Sequence, residues 1–184
     1  MELVWPARDH LPSYVQALER GWSANTVRPQ EAQEELARIA ADPDAFLRSK
    51  VDREARGDPV QLPDGSLVRR LPGFIRWMWD GELCGSIGFR WQPGSSELPP
   101  HVLGHIGYSV VPWRRGRGYA TEALRQLLAD VRREGLAWVT LTTDPDNIAS
   151  QRVITHNGGV LVERFVEPAA YGGAAALRWR IDLR

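Results

Sequence analysis

The sequence predicts a single α/β domain with a mixed, mostly antiparallel sheet, from its length, its composition and the order of its periodicities. The chain has 184 residues, of which 43% are hydrophobic and 25% are charged. Domains usually comprise roughly 100 to 200 residues, and this composition is typical of a globular protein, not of a disordered or coiled-coil chain. Helical and strand periods follow one another along the chain, and this order indicates an α/β (α+β) fold.

Two helices are predicted in the amino-terminal third, at residues 9–21 and 29–57. In the second, apolar residues such as Leu36 and Ile39 recur at mixed spacings of three and four, the period of a helix with one buried face. Residues 57–66 are rich in Gly, Pro and Asp. They are therefore predicted to form a loop or the tip of a short hairpin.

A strand pair follows this loop. Residues 74–79 and 82–91 flank Asp80 and Gly81, and this dipeptide tolerates the positive φ of a tight two-residue turn. Residues 104–111 then alternate apolar with polar or small side chains. This alternation predicts a third strand in the same antiparallel arrangement.

The strongest helix prediction begins near Ala120 and ends at Gly135. Apolar residues recur there at three, four, seven, eight and eleven positions after Ala120, which is the pattern of an amphipathic helix, and glycine commonly ends one. The remaining elements alternate by the same criteria. They are a strand at 138–143, a helix at 147–157 and strands at 160–166 and 177–183.

Charge and cysteine content exclude several classes of protein. Twenty-three basic and 23 acidic residues give a formal net charge of zero, which argues against nucleic-acid binding through a broad cationic surface. Cys84 is the single cysteine, so neither an internal disulfide nor a multi-cysteine zinc site is expected, and no metal is predicted. With no recognisable secretion signal and no apolar run near ~18 residues, we expect a cytoplasmic protein with no membrane contact.

Residues 111–120, VPWRRGRGYA, lie between a predicted strand and the strongest predicted helix. Gly116 and Gly118 allow the backbone to approach a ligand closely, and a helix that begins here presents free N–H groups and its positive dipole end. Three arginines concentrate positive charge in the same segment. The segment therefore predicts a site for an anion. Thr121 stands where a dinucleotide-binding loop requires its third glycine, so that class is excluded.

Residues 115–120, RGRGYA, resemble the pyrophosphate loop R/Q-x-x-G-x-G/A of the GNAT N-acetyltransferase superfamily, whose members transfer an acetyl group from acetyl-CoA to an amine. The Ile106-Gly107-Tyr108 run before the loop and the Asn147-Ile148-Ala149-Ser150 run after it are similar to the branch containing ribosomal-protein N-terminal acetyltransferases. The resemblance extends from about Phe74 to Phe165.

The resemblance implies one GNAT-like domain over residues 1–184. Residues 1–72 would supply substrate-side helices and a loop, and residues 73–184 would form the acetyl-CoA-binding core. The central sheet would be splayed in the middle, between the strands at 104–111 and 138–143, with helices on both faces. Unpaired backbone groups in that slot would bind the pantetheine arm as a surrogate strand.

The resemblance also implies the residues that hold acetyl-CoA. A backbone N–H near Val110 would polarise the thioester carbonyl, and Asn147 would hold the cofactor arm from the next helix. The implied cofactor-binding residues are Val110, Val111, Arg115, Gly116, Arg117, Gly118, Tyr119, Ala120, Thr121, Asn147 and Ser150.

The position where many family members carry an acidic tyrosine is Ile154 here. Ser150, three residues after Asn147, is the candidate proton donor to the leaving thiolate, and the alternative is a hydroxyl that bonds its own helix terminus. Asn147 is either a helix cap, a ligand or both. The candidate general bases are His105 and Glu167, because an amine must lose a proton before attack, and the alternative for both is a purely structural or surface position.

The function predicted from these residues is N-acetyl transfer from acetyl-CoA to a primary amine, by direct attack on the thioester. The acceptor would be a protein or peptide N-terminus, a lysine side chain or a small-molecule amine. The alternative is a non-catalytic acyl-CoA-binding or sensory domain, which the missing tyrosine leaves open. A monomer or a homodimer is expected, with no nucleic-acid partner.

Overall fold

A computed structural model describes residues 1–183, and it contains five α-helices and ten strands in that range. The helices are α1 (Leu11–Glu19), α2 (Glu31–Ala41), α3 (Pro43–Ser49), α4 (Tyr119–Val131) and α5 (Ile148–His156). The strands are β1 (Glu2–Val4), β2 (Val51–Asp52), β3 (Val60–Gln61), β4 (Leu67–Val68), β5 (Gly73–Trp79), β6 (Leu83–Arg90), β7 (Ile106–Val110), β8 (Trp138–Thr143), β9 (Val160–Val166) and β10 (Ala175–Asp182).

The strands form two antiparallel sheets and a small β3–β4 hairpin. The first sheet has the order β1-β5-β6-β7, with β2 also paired to β5, and the second has the order β8-β10-β9. Within residues 1–183 no strand ladder joins β7 to β8. This confirms the α/β fold with a sheet splayed in the middle. The gap between β7 and β8 is called the split below.

The split is closed at one end, where the segment before β7 contacts β8. The His105 N–H donates to the Thr140 carbonyl oxygen at 2.8 Å, and the Thr142 hydroxyl donates to the Leu103 carbonyl at 2.6 Å. A Cβ atom on Gly104 would lie 3.1 Å from the Thr140 oxygen, so glycine permits this close approach. Beyond it the two sheets separate.

Helices cover both faces, and each face has its own hydrophobic core. Adjacent residues of β5 point to opposite faces: Trp77 lies in the core beneath α1–α3, and Met78 lies in the core shared with α4 and both sheets. Cys84 is fully buried in the second of these cores, as a small apolar side chain. No helix within residues 1–183 has the length and apolar character required to cross a membrane.

The single helix predicted over residues 29–57 is wrong. It is interrupted at Asp42, whose backbone is extended (φ −155°) and whose carboxylate accepts the Ala45 N–H at 2.9 Å as the cap of α3. Pro43 causes the interruption, because it has no N–H to continue α2 and because it restricts the residue before it to an extended conformation. The last residues of the predicted helix include β2, which pairs with β5.

A buried polar network joins α1, α2 and the residue that follows α3. Glu35 accepts hydrogen bonds from the Tyr14 hydroxyl and from the Lys50 ammonium group, both at 2.5 Å. All three side chains are buried, and Tyr14 stacks on Trp77 at 4.4 Å between ring centroids. Burial lowers the pKa of Lys50, and the Glu35 carboxylate opposes that shift. The three amino-terminal helices are therefore tied together by charge as well as by apolar contact.

Candidate active site

The β7 backbone forms one wall of the split. The Val111 N–H donates to the Cys84 carbonyl at 3.0 Å, and alternation along an antiparallel ladder turns the Val110 N–H and C=O away from β6, into the split. The Val110 oxygen accepts a hydrogen bond from Arg115 Nε at 3.3 Å. Val111 itself is fully buried, and its carbonyl accepts the Arg114 N–H.

The amino terminus of α4 lies at the end of β7 and carries no side-chain cap. Its cap residue is Gly118, with a φ of +77°, and Gly116 has a φ of +75°. The first helical bond runs from the Glu122 N–H to the Gly118 oxygen. The N–H groups of Tyr119, Ala120 and Thr121 therefore have no partner within the helix, and they are the donors that an anion needs.

The three arginines of the loop have different surroundings. Arg114 pairs with Glu82, so its charge is balanced within the protein. Arg115 and Arg117 are exposed beside the helix terminus. Tyr119 is held by a hydrogen bond from its hydroxyl to Asp80, in the turn between β5 and β6. The net positive charge at this terminus comes from Arg115, Arg117 and the helix dipole.

The first turn of α5 lies on the other side of the split. Asn147 caps this helix, because its side-chain oxygen accepts the Ser150 N–H at 3.1 Å. The Ser150 carbonyl in turn accepts a hydrogen bond from the Tyr108 hydroxyl at 3.3 Å. The contact joins β7 to α5, and so it connects the two separated halves of the molecule.

Tyr108 has no role in the sequence-based site. Its alternation with Ile106 and Val110 places it on the face toward α5, but an aromatic residue in a strand is ordinarily a core residue. Burial raises the pKa of Tyr108 to about 12, so the phenol keeps its proton at neutral pH. The alternation along β7 predicts which face of the sheet Tyr108 lies on. Its hydrogen-bond partner, Ser150, depends on how α5 packs against that face.

Ile154 is fully buried in the core. A Cβ atom built on Gly159 would lie 2.3 Å from Ile154 Cγ2, which shows how tightly the end of α5 packs against the following turn. A larger tyrosine at position 154 would not fit without rearrangement. Any proton donor on α5 must therefore come from another position.

His105 lies at the closed end of the split and is fully buried. Its Nδ1 accepts the Thr140 backbone N–H at 3.0 Å, so the neutral ring carries its proton on Nε2. Burial, and secondarily the charge of Arg90, lower the pKa of His105 to about 4. The lone pair that a general base requires is thus already engaged in a hydrogen bond.

Glu167 follows β9 and is half-buried, with its N–H donating to the Ala174 carbonyl at 2.9 Å. Burial, and secondarily the charge of Asp144, raise the pKa of Glu167. Asp144 comes directly after β8 in the chain, before the α5 cap. The charge of Asp144, in the segment between β8 and α5, therefore acts on the Glu167 carboxyl group, whereas His105 lies at the closed end of the split.

A cavity of about 460 Å³ lies on the outer face of the second sheet, beneath the loop before β7. Pro99 and Leu103 contribute from the loop, Thr140 from β8, and Phe165 and Arg178 from β9 and β10.

In residues 1–183 no three His, Cys, Asp or Glu side chains are grouped to hold a metal ion. The site is built from backbone donors, arginines and hydroxyls.

In the split, the unpaired N–H of Val110 lies on the strand that leads to the uncapped, positively charged terminus of α4. This arrangement defines a class of proteins that bind an extended ligand ending in a phosphate-type anion. Residues 6–160 match the family model of the acetyltransferase (GNAT) domain, and the chain belongs to this family. The protein is an acetyl-CoA-dependent acyltransferase.

Solved structures have the same fold. The chain is similar to MccE, a microcin C7 self immunity acetyltransferase solved with acetyl-CoA and AMP, at 12% identity and a TM-score of 0.62, covering 98% of this chain and 91% of MccE. It is also similar to RimL, a ribosomal L7/L12 alpha-N-protein acetyltransferase solved with coenzyme A, at 15% identity and a TM-score of 0.62, covering 98% of this chain and 92% of RimL. No curated protein sequence is significantly similar to the chain.

Proposed function

We propose that the protein transfers the acetyl group of acetyl-CoA to a primary amine by direct attack of the amine on the thioester. The observation that carries this proposal is that the Val110 N–H faces the split, at the end of β7 that leads to the uncapped terminus of α4. No cysteine thiol is placed to accept the acetyl group first, because Cys84 is buried in the core and burial raises the pKa of its thiol. Direct transfer needs no such nucleophile.

The residues fit the cofactor. The N–H groups at the start of α4, together with Arg115 and Arg117, would hold the pyrophosphate. The Val110 N–H would donate to the thioester carbonyl and stabilise the oxyanion that develops on it. Asn147 and Ser150 would contact the arm from α5, on the other side of the split. Acetyl-CoA supplies the activated acyl group, and the protein orients it.

The acceptor is tested by release of free CoA thiol from acetyl-CoA. The panel should contain peptide α-amines, lysine side chains and small-molecule amines, because RimL is named as a ribosomal L7/L12 alpha-N-protein acetyltransferase and MccE as a microcin C7 self immunity acetyltransferase. We expect release with at least one amine class. Tight acetyl-CoA binding without release across the whole panel would favour a sensory role.

A cytoplasmic location remains the prediction made from the sequence.

Ser150 is proposed as the proton donor to the leaving thiolate. Loss of a general acid costs about 10² to 10⁴ in rate, so Ser150→Ala should lower turnover about 10²-fold. Acetyl-CoA affinity should fall by a few-fold at most, because one neutral hydrogen bond to the cofactor arm contributes only about 0.5 to 1.5 kcal/mol. Ser150→Thr keeps the hydroxyl and should retain most of the activity. If Ser150→Ala retains more than about a fifth of the turnover, the hydroxyl only supports the helix terminus. If affinity falls with the rate, Ser150 holds the cofactor.

Glu167 is proposed as the general base in preference to His105, because the His105 Nδ1 already accepts a backbone hydrogen bond. A carboxyl with a raised pKa becomes a competent base as the pH rises through that pKa, so the rate should increase with pH over that interval. We expect Glu167→Gln to abolish this rise in rate, which is the ascending limb of the pH–rate profile. The exposed Glu163→Gln and the buried His105→Gln should retain it. A limb that disappears in His105→Gln and persists in Glu167→Gln would reverse the assignment.

A further inference from the structure

Part of the first sheet is left uncovered on the face that packs against α1–α3. Trp77, in the core beneath these helices, pairs with Ser86 of β6, and Ser86 pairs with Ser109 of β7. Residues two positions apart in a strand share a face, so the paired Gly88 and Gly107 belong to this face as well. Gly107 is exposed and Gly88 is partly exposed. These two glycines form the floor of a groove, called the glycine groove below.

The two ends of the glycine groove differ. Toward the end of β7, the Trp22 indole N–H donates to Ser109 Oγ at 2.9 Å, and the Ser109 hydroxyl donates to the Ser23 carbonyl at 3.1 Å. These bonds hold the segment after α1 over that end. At the other end, Nη2 of Arg90 lies 3.5 Å from the position that a Cβ atom on Gly107 would occupy. The guanidinium therefore lies over the glycine floor.

Arg90 has no counter-ion, although protein surrounds it. It makes no ion pair within residues 1–183, and it is exposed to solvent. Burial among the neighbouring atoms nevertheless lowers the pKa of its guanidinium, and the Tyr171 phenol opposes this shift. The two observations describe a charge in a concave part of the surface, which a ligand can reach but which water solvates poorly. Such a charge is stabilised when an anion forms charge-assisted hydrogen bonds with it.

Tyr171 connects Arg90 electrostatically to the proposed general base. It lies in the turn between β9 and β10, and its hydroxyl donates to the His101 carbonyl at 2.9 Å. Burial raises the pKa of Tyr171; the charge of Arg90 opposes this shift, and the charge of Glu167 adds to it. No carboxylate affects the pKa of Arg90 in the same way. Arg90 is therefore near the residues proposed for proton transfer, and its charge is still available to a ligand.

We propose that Arg90 binds a carboxylate of the acceptor, and that the preferred acceptor is a primary amine with a carboxylate about 10 Å from its nitrogen. The inference rests on the proposed acetyl transfer, with the thioester carbonyl at the Val110 N–H. Gly107, beneath the guanidinium, is three residues before Val110 on β7, and three residues of a strand span about 10 Å.

The surrounding charges favour a single carboxylate over a phosphate. One guanidinium matches the planar, singly charged carboxylate with two parallel hydrogen bonds. Asp64 and Glu167 both act on the neighbouring Tyr171 phenol, and they would repel a dianion more strongly than a monoanion. An extended peptide covers the distance in about three residues, so its acidic side chain would be near the third position. A straight-chain ω-amino acid of the same length has the same chemistry.

The test compares acceptors that differ only in the carboxylate. The first pair is the peptide amide Ser-Ala-Glu-Ala and the same peptide with glutamine in place of glutamate. The second pair is the ω-amino acid and the alkylamine of equal length. We expect a KM about 10-fold lower for the carboxylate member of at least one pair, with similar kcat. A preference confined to one pair supports the inference and identifies the acceptor as a peptide or a small molecule.

Arg90→Gln should remove this preference and leave the KM for acetyl-CoA unchanged, whereas Arg90→Lys keeps the charge and should retain part of the preference. Because Arg90 is exposed and makes no ion pair, the melting temperature of Arg90→Gln should match that of the wild type. Arg132→Gln is the matched control. Arg132 is exposed directly after α4, on the other side of the sheet, and this variant should keep the wild-type preference.

The outcomes separate this inference from the proposed function. Acetylation with equal KM values within both pairs overturns the inference and leaves acetyl transfer to an amine intact, and so does a preference that survives in Arg90→Gln. If no acceptor is acetylated, isothermal titration of the CoA-saturated protein with each carboxylate-bearing amine decides. Binding that Arg90→Gln abolishes supports the inference. Binding that does not depend on Arg90, or no binding, overturns it.

Discussion

Lys50→Met is expected to lower the free energy of unfolding by about 3 to 5 kcal/mol, the range measured when one partner of a buried ion pair is removed. The substitution leaves the buried Glu35 carboxylate with the Tyr14 hydroxyl at 2.5 Å and the half-exposed Arg38 guanidinium at 3.9 Å, so its one close counter-ion is lost. A buried charge without its close counter-ion is costly because the protein interior solvates it poorly. Urea denaturation followed by tryptophan fluorescence measures the change.

Two further variants separate this cause from a general loss of packing. Arg8→Met breaks an exposed pair with Asp44, and we expect little change because solvent screens such pairs. Tyr14→Phe, Glu35→Leu and Lys50→Met together replace the whole network with apolar side chains, and this triple variant should recover most of the lost stability. If Lys50→Met is as stable as the wild type, the network does not hold the three helices together.

Gly118→Val should lower acetyl-CoA affinity about 10²-fold, equivalent to about 2.7 kcal/mol. Gly118 has open space around its Cβ position within the protein, so the obstruction would be felt by a ligand that approaches the terminus of α4. Valine also disfavours the positive φ of this residue, which would displace the free N–H groups. Isothermal titration with acetyl-CoA measures the loss.

The control for backbone strain is Gly135→Val, after the other end of the same helical segment. Gly135 has a φ of +76°, against +77° for Gly118, and open space around its Cβ position as well. Both variants should therefore lose similar stability, and Gly135→Val should bind acetyl-CoA as the wild type does. Equal loss of affinity in both variants would show that backbone strain, and not the site, explains the effect.

The parts of the site that the sequence predicts are those that depend on residues close together in the chain. The glycine–arginine loop and α4 follow from local conformational preference and from helical period. The hairpin at Asp80-Gly81 follows from its dipeptide, but its connection has three residues, 80–82, and not the predicted two, because the register shifts between Met78 and Trp79. The three-residue strand β1 is too short to show a period, and it exists because it pairs with β5. The interruption at Pro43 was readable from the sequence, since proline is a local signal.

Contacts between distant residues could not be predicted. The Tyr108–Ser150 bond spans 42 positions and the Thr140–His105 bond spans 35. The second of these bonds occupies the lone pair on His105 Nδ1, and no periodicity in the sequence predicts that bond. In the same way the pairing of Arg114 with Glu82 reduces three apparent anion ligands to two. Side-chain chemistry suggests candidates, and tertiary packing selects among them.

The central claim is that acetyl-CoA lies in the split, with its pyrophosphate on the terminus of α4. Hydrogen–deuterium exchange of the full chain, with and without saturating CoA, tests it directly because the proposed contacts are backbone N–H groups. We expect CoA to slow exchange at residues 116–121 and at Val110, and to leave the exposed β3–β4 hairpin unchanged. Bound CoA that leaves exchange at 116–121 and Val110 as fast as in the free protein would contradict the account.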